Sequence, residues 1–256
     1  MRRVSDANLV LTPSANGSWL AILCGNSRNH WAVMSADQQP LQCCDTQPDE
    51  LITDWLDAYR QDCWLASVVP SRTPALAPWQ PHLLQLADLP LRNLYPSCGI
   101  DRALALMGAG HHYGWPVLVI DAGTALSLTA AGPEADLVGG AILPGLRLQA
   151  RSLAIGTAVL PALDWAEQQG LSERWACSTE GAIASGILYT VLAGLRDYCT
   201  DWQRRYPDSP MVLTGGDGAF LYRLLADQGL APLHQNDWLA FLGMAQIRAQ
   251  TGGAPV

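Results

Sequence analysis

The stretch VLVIDAGTAL, Val117–Leu126, runs from an unbroken apolar segment onto a carboxylate and a glycine. Val117–Ile120 has the continuous hydrophobicity of a strand buried on both faces. Asp121 follows at the strand's end, and Ala122-Gly123-Thr124 turns the chain. A carboxylate in that place can hold a cation or a metal-bound water next to a phosphate. Gly123 lets backbone amides approach an anion and Thr124 offers a hydroxyl. The same residues also make an ordinary strand-end turn capped by aspartate, so the stretch alone leaves both readings open.

Downstream, Leu126–Thr129, a Gly132-Pro133 turn and Leu137–Leu143 continue a β-meander. Leu146–Ala154 reads as a helix after Pro144-Gly145. Glu180–Thr200 is the clearest helix, with Ile183, Ile187, Leu188, Val191, Leu192 and Leu195 on one face. Met211–Leu213 is an expected strand, Gly215–Gly218 a turn, Ala219–Asp227 a helix and Asp237–Thr251 a closing helix. Upstream, Trp19–Cys24 and Trp31–Met34 read as strand, turn, strand. Ser35–Glu50 is loop or edge, and Leu51–Arg60 is helical. Trp64–Val69 is a strand stopped by Pro70. Residues 71–97 are proline-rich, with a short helix expected at His82–Leu86. Asp101–Ala109 is helical and ends in Gly110.

The pattern strand, GNS turn, strand near the start thus recurs as strand, DAGTA turn, strand near residue 120. Two halves that each present a glycine-bearing hairpin to a common cleft are the arrangement of actin-like folds. The expected fold class is α/β, with two actin-like (ribonuclease H-like) lobes of mixed sheets flanked by helices and the site in the cleft between them. The expected division is an N-terminal tail at 1–17, a first lobe at 18–115 and a second at 116–256.

The whole chain narrows the chemistry. Of 256 residues, 49% are apolar and 15% charged, which favours a packed globular protein. No apolar run approaches the roughly 18–20 residues that span a bilayer, and the start lacks a signal-peptide core; no membrane association and a cytoplasmic location are expected. A net charge of −8 argues against nucleic acid as a partner. All 15 basic residues are arginine. That excludes a Walker-A loop and Schiff-base chemistry, both of which need lysine. The seven cysteines show no CxxC spacing and read as packing thiols in a reducing compartment.

Leu23-Cys24-Gly25-Asn26-Ser27-Arg28 offers amides, a carboxamide, a hydroxyl and a guanidinium to phosphate oxygens; it also fits a plain Asn/Gly hairpin turn. Gly99-Ile100-Asp101-Arg102 places an aspartate at a helix start. As chemistry, Asp101 is a general base for a substrate hydroxyl and Arg102 an anion clamp; as structure, Asp101 is a first-turn acid. Gly139–Gly145 and Thr214–Gly218 are further glycine-rich turns, the second able to floor a base or phosphate at a helix N-terminus. His111-His112 is expected to be an exposed loop pair, and the ten tryptophans to be packing residues.

GNS at 25–27, SVVP at 67–70, GxDR at 99–102, DAGTA at 121–125, GGAILPG at 139–145, STEGAIASGILY at 178–189 and TGGD at 214–217 form an ordered set. In that order and spacing, from about Trp19 to about Gln250, the chain resembles the type III pantothenate kinases of the acetate and sugar kinase, Hsp70 and actin superfamily. The resemblance implies ATP-dependent phosphorylation of pantothenate at its primary hydroxyl, the first step towards coenzyme A. It implies Asp101 as catalytic base. It implies Tyr95, Gly99, Ile100, Asp101, Arg102 and Thr179 around pantothenate, and Thr124 with Leu23, Cys24, Gly25, Asn26, Ser27, Arg28, Asn29 and His30 around ATP. Asp121 is implied to hold a monovalent cation, K⁺ or NH₄⁺, Mg²⁺ is expected on the phosphates, and a homodimer is expected. Two positions depart from the family. Its first hairpin begins with an aspartate two residues before the glycine, where this chain has Leu23. The segment's eighth residue is often lysine, where this chain has His30. Leu23 motivates an alternative, a catalytically weakened relative with a regulatory or ligand-binding role. A third reading is an actin-fold kinase for another small hydroxylated substrate.

Overall fold

The computed structural model describes residues 17–163, 165, 170–171 and 173–252. The expected N-terminal tail therefore lies outside the described residues but for Gly17. The chain divides into two units. Unit 1 comprises residues 1–113, 134–137 and 238–256, and unit 2 comprises 114–133 and 138–237.

Unit 1 holds a sheet ordered β3-β2-β1-β4-β5, from β1 (Trp19–Cys24), β2 (Asn29–Met34), β3 (Pro40–Thr46), β4 (Cys63–Ser67) and β5 (His82–Leu83). The first three strands form an antiparallel meander, and β4 and β5 add in parallel. Every residue of β1 is buried, as its continuous apolar composition requires. One face packs Leu20, Ile22, Cys24, Trp31 and Val33 against Trp55 and Leu56 of α1 (Thr53–Ala58). Helices α2 (Ile100–Tyr113) and α6 (Leu239–Gln250) pack on each other within the same unit. Arg248 ties α6 down: its Nε donates to both carboxylate oxygens of Asp62, at 3.1 and 3.2 Å.

Unit 2 repeats the plan with a sheet ordered β10-β9-β6-β7-β8: β6 (Val117–Ala122), β7 (Ala125–Ala131), β8 (Leu137–Pro144), β9 (Met211–Thr214) and β10 (Leu233–Gln235). Again the first three strands are the meander, while β9 adds in parallel to β6 and β10 in parallel to β9. The two sheet orders correspond strand for strand, so the echo between the two hairpins reflects a repeated topology. Helices α3 (Leu146–Gly156), α4 (Thr179–Arg205) and α5 (Gly218–Ala226) complete the unit. The apolar face expected on α4 is buried in the core around Ile120, Leu126 and Leu213.

Several local expectations differ from the structure. His82–Leu86 is not a helix. His82–Leu83 pairs in parallel with β4, and a short 3-10 turn follows at Leu86–Asp88. Gly110 does not end α2, which continues to Tyr113, so His111 and His112 are exposed on its last turn rather than in a loop. The closing helix, which follows unit 2 in chain order, packs in unit 1. So does the β7–β8 connection, where Arg92 exchanges backbone hydrogen bonds with Ala135 and Leu137, at 3.0 and 2.8 Å. Among the described residues no helix is long and apolar enough to cross a membrane.

The α2–α6 crossing depends on two glycines. A Cβ on Gly108 would overlap the Leu239 carbonyl and stand 2.9 Å from the Gly243 nitrogen, and one on Gly243 would overlap the Leu104 carbonyl. Gly108→Ala is expected to destabilise unit 1 by about 1–3 kcal/mol through overpacking. That exceeds the ~1 kcal/mol alanine gains over glycine in a helix. A fall in the urea midpoint at unchanged slope checks it.

Candidate active site

Unit 1 contributes two sequence-predicted groups. The first is the β1–β2 turn. Its root is closed by the Gly25 N–H donating to the Arg28 carbonyl at 2.9 Å. A Cβ on Gly25 would stand 2.9 Å from that same oxygen, which explains the glycine. Asn26 and Ser27 are exposed at the tip. Leu23 is buried and pairs with His30, which pairs in turn with Asp45 on β3, so the three share one row of the sheet. His30 Nδ1 lies 2.7 Å from Asp45 Oδ1, and Arg28 Nη1 lies 3.5 Å from Asp45 Oδ2. Burial pushes the Asp45 carboxyl up, but the hydrogen bond and charge of His30, with Arg28, outweigh it and hold the pKa below the ordinary value. A carboxylate is therefore present beside this turn, two strands from Leu23. Asn29 points elsewhere: it is buried, and its amide donates to the carbonyls of Gln47 and Pro48 at 3.3 and 3.1 Å.

The second group is the start of α2. Asp101 Oδ1 accepts the Arg102 backbone N–H at 2.8 Å. A Cβ on Gly99 would stand only 2.5 Å from that oxygen, so glycine leaves the carboxylate its place. Arg102 is buried, and its Nη1 donates to the Tyr95 hydroxyl at 2.9 Å, which brings Tyr95 into the group. Ile100 is buried in the core.

In unit 2, three glycine-bearing turns converge on Asp121. The residue stands at the end of β6, flanked by Ser127 on β7 and Thr214 on β9. The Gly123 N–H closes on the Ala125 carbonyl at 3.0 Å, leaving Thr124 exposed. The Gly145 N–H donates to the Thr124 carbonyl at 2.9 Å, and the Asp217 N–H to the Ala122 carbonyl at 2.9 Å. A Cβ on Gly145 would overlap the Gly123 carbonyl, and one on Gly215 would overlap Asp121 Oδ1. The motifs GGAILPG and TGGD thus buttress the DAGTA turn. Asp217, the last residue of TGGD, stands just before α5, and one residue that sequence reasoning missed joins it: Arg147, whose Nη2 lies 3.5 Å from Asp217 Oδ1. Burial raises the Asp217 pKa, and Arg147 opposes the shift. Thr179 is exposed in the first turn of α4, after Ser178, whose Oγ caps the helix by accepting the Gly181 N–H at 3.1 Å.

Among the described residues no group of three or more His, Cys, Asp and Glu could cage a metal. A divalent ion held mostly by nucleotide phosphates and water needs only one or two protein carboxylates, so single carboxylates such as Asp101 or Asp121 fit that mode. Three buried thiols are held protonated: burial pushes Cys24 up to about 11 and Cys63 and Cys199 up to about 12.

The family model described as type III pantothenate kinase matches residues 19–201. The chain belongs to the type III pantothenate kinases. It is 50% identical to the type III pantothenate kinase of Synechococcus sp. strain JA-3-3Ab, covering 90% of this chain and 92% of that one. It is 45% identical to the type III pantothenate kinase of Synechocystis sp. strain PCC 6803, covering 93% of each. Among solved structures, a conserved Baf-family protein from Campylobacter jejuni superposes with a TM-score of 0.62 at 20% identity, covering 91% of this chain and 98% of that one. The activator of the 2-hydroxyisocaproyl-CoA dehydratase from Clostridium difficile, with bound ADPNP, superposes at 0.53 and 10% identity, covering 93% and 98%. These structures carry the fold alone, and the fold is actin-like. As a type III pantothenate kinase, the chain transfers a phosphoryl group from ATP to pantothenate in coenzyme A biosynthesis, with a divalent metal.

Proposed function

We propose that Asp101 is the general base of this reaction. The observation that carries the reading is the α2 start: glycine at 99 clears the carboxylate's position, the Arg102 N–H orients it, and Tyr95 pins Arg102 beside it. The carboxylate takes the proton from the primary hydroxyl of pantothenate as that oxygen attacks the γ-phosphorus and ADP departs. Tyr95, Gly99, Ile100, Arg102 and Thr179 position pantothenate, with Arg102 supplying the charge for its carboxylate. The turn at Leu23–His30 and Thr124 receive the ATP phosphates. Mg²⁺, arriving with the nucleotide, neutralises phosphate charge.

Asp121 anchors a monovalent cation, K⁺ or NH₄⁺. Its carboxylate stands at the end of β6, where the three glycine-bearing turns meet, and a carboxylate oxygen is a hard ligand suited to such an ion. Turnover is expected to be higher in K⁺ than in Na⁺ buffer. Asp121→Asn is expected to raise the K⁺ concentration for half-maximal rate by about tenfold, the equivalent of 1.4 kcal/mol. Indifference to both changes would remove the cation from Asp121.

The protein works as a homodimer in the cytoplasm. Edge strand β8 exposes Val138 and Ile142, and α3 exposes Ile155; apolar surface of this kind supports pairing with a second copy. Thiols buried without disulfides among the described residues support a reducing compartment.

A further inference from the structure

The turn between β1 and β2 is gripped from outside by Arg72. Arg72 lies on the 3-10 segment Pro70–Trp79 that follows β4. Its Nη1 donates to the Gly25 carbonyl at 2.7 Å and its Nη2 to the Asn26 carbonyl at 3.1 Å. A trans peptide is planar, so each carbonyl points opposite to the next residue's N–H. A guanidinium that gathers these two carbonyls on one side therefore turns the N–H groups of Asn26 and Ser27 towards the other. The turn's roots are already closed, by Gly25 N–H on the Arg28 carbonyl and by Val68 N–H on the Cys24 carbonyl at 3.0 Å. Beyond those roots, Arg72 holds the carbonyls that lead into the tip. The planar fork does this with one side chain; a lysine ammonium has no fixed fork to hold both carbonyls in that geometry.

We propose that Arg72 is a positioning residue for the nucleotide. It sets the direction of the tip amides, and so the affinity for ATP phosphates, without touching the nucleotide itself. The proposal rests on reading Leu23–His30 as the first phosphate turn. It gives the SVVPSR segment a function: the strand ends at Ser67 so that the following 3-10 turn can deliver Arg72 back to the hairpin.

The test uses the full chain as wild type, Arg72→Gln, Arg72→Lys and Gly25→Val. Calorimetry gives the Kd of Mg²⁺–adenylyl imidodiphosphate, and steady-state assays give KM for ATP and for pantothenate separately. Arg72→Gln is expected to raise the nucleotide Kd and the KM for ATP about tenfold, as loss of charge-assisted hydrogen bonds implies. The KM for pantothenate stays at the wild-type value, and Arg72→Lys recovers part of the loss. Gly25→Val, which overfills the turn, weakens the nucleotide as well. If Gly25→Val weakens the nucleotide and Arg72→Gln and Arg72→Lys do not, the proposal is overturned while the phosphate turn stands. An equal rise in both KM values for Arg72→Gln, without recovery by lysine, also overturns it, because that is the mark of general structural damage. If Gly25→Val leaves the nucleotide Kd unchanged, the turn is not a phosphate site and the proposal falls with that reading.

Discussion

Asparagine in place of Asp101 is expected to lower kcat for pantothenate phosphorylation by about 10²–10⁴-fold, the range for losing a general base. Both substrates should still bind. The asparagine carbonyl oxygen can accept the Arg102 N–H as Oδ1 does, so the α2 start keeps its shape. What disappears is the ability to take a proton. Loss therefore belongs to kcat and not to either KM. Thermal unfolding that matches wild type, alongside near-zero turnover, is the expected pair of results. Near-wild-type kcat would show that the carboxylate is only a first-turn acid.

Gly215→Ala is expected to give the next largest loss, and through a different route. Gly215 has φ of +86°, a left-handed conformation that disfavours alanine, and a Cβ there would overlap Asp121 Oδ1 and stand 2.7 Å from the Ala122 carbonyl carbon. Backbone on one side and a carboxylate on the other leave little room to yield, so the substitution must move Asp121, the DAGTA turn or both. Strain and overpacking of this kind cost about 1–3 kcal/mol. Displacement of the groups proposed to receive phosphate and cation by as little as about 1 Å costs on the order of 10²-fold in rate. The expected signature is a raised KM for ATP together with a lowered kcat and a blunted response to K⁺. A folded variant with unaltered K⁺ response and ATP kinetics would show that TGGD does not support Asp121.

What could be read from residues was whatever was local. VLVIDAGTAL became β6 and its turn because a buried strand needs a continuous apolar run, and α4 followed from its helical spacing. Two sites were named from short motifs, Gly99–Arg102 and the paired hairpins, because backbone freedom at glycine and a nearby carboxylate are visible in sequence. Pairing across the chain was not. His82–Leu83 became a strand only because β4 offered an edge, and two residues carry no period of their own. Gly110 was expected to stop a helix, yet packing carried α2 past it, as it did past Gly108, where α6 crosses closely. Arg72 reaches Gly25 across 47 residues, and Arg147 reaches Asp217 across 70. An isolated arginine in a proline-rich stretch gives no sign of such a reach. Asp45 is similar: its register opposite His30 depends on β3 forming at the sheet's edge, in a segment whose composition pointed equally to loop.

Leu23 remains the feature that separates this chain from the family's usual hairpin. Its side chain is packed into the sheet, and the carboxylate beside the turn comes from Asp45 instead. Identity of 50% with a type III pantothenate kinase over nine-tenths of the chain favours a working enzyme over a weakened relative. The most direct measurement is turnover of the purified chain with ATP, Mg²⁺, K⁺ and pantothenate, with the product identified by mass and by ³¹P resonance. Stoichiometric ADP and a phosphomonoester on the primary hydroxyl of pantothenate are expected, both lost in Asp101→Asn. A folded, nucleotide-binding chain that forms no phosphopantothenate under those conditions would contradict this expectation.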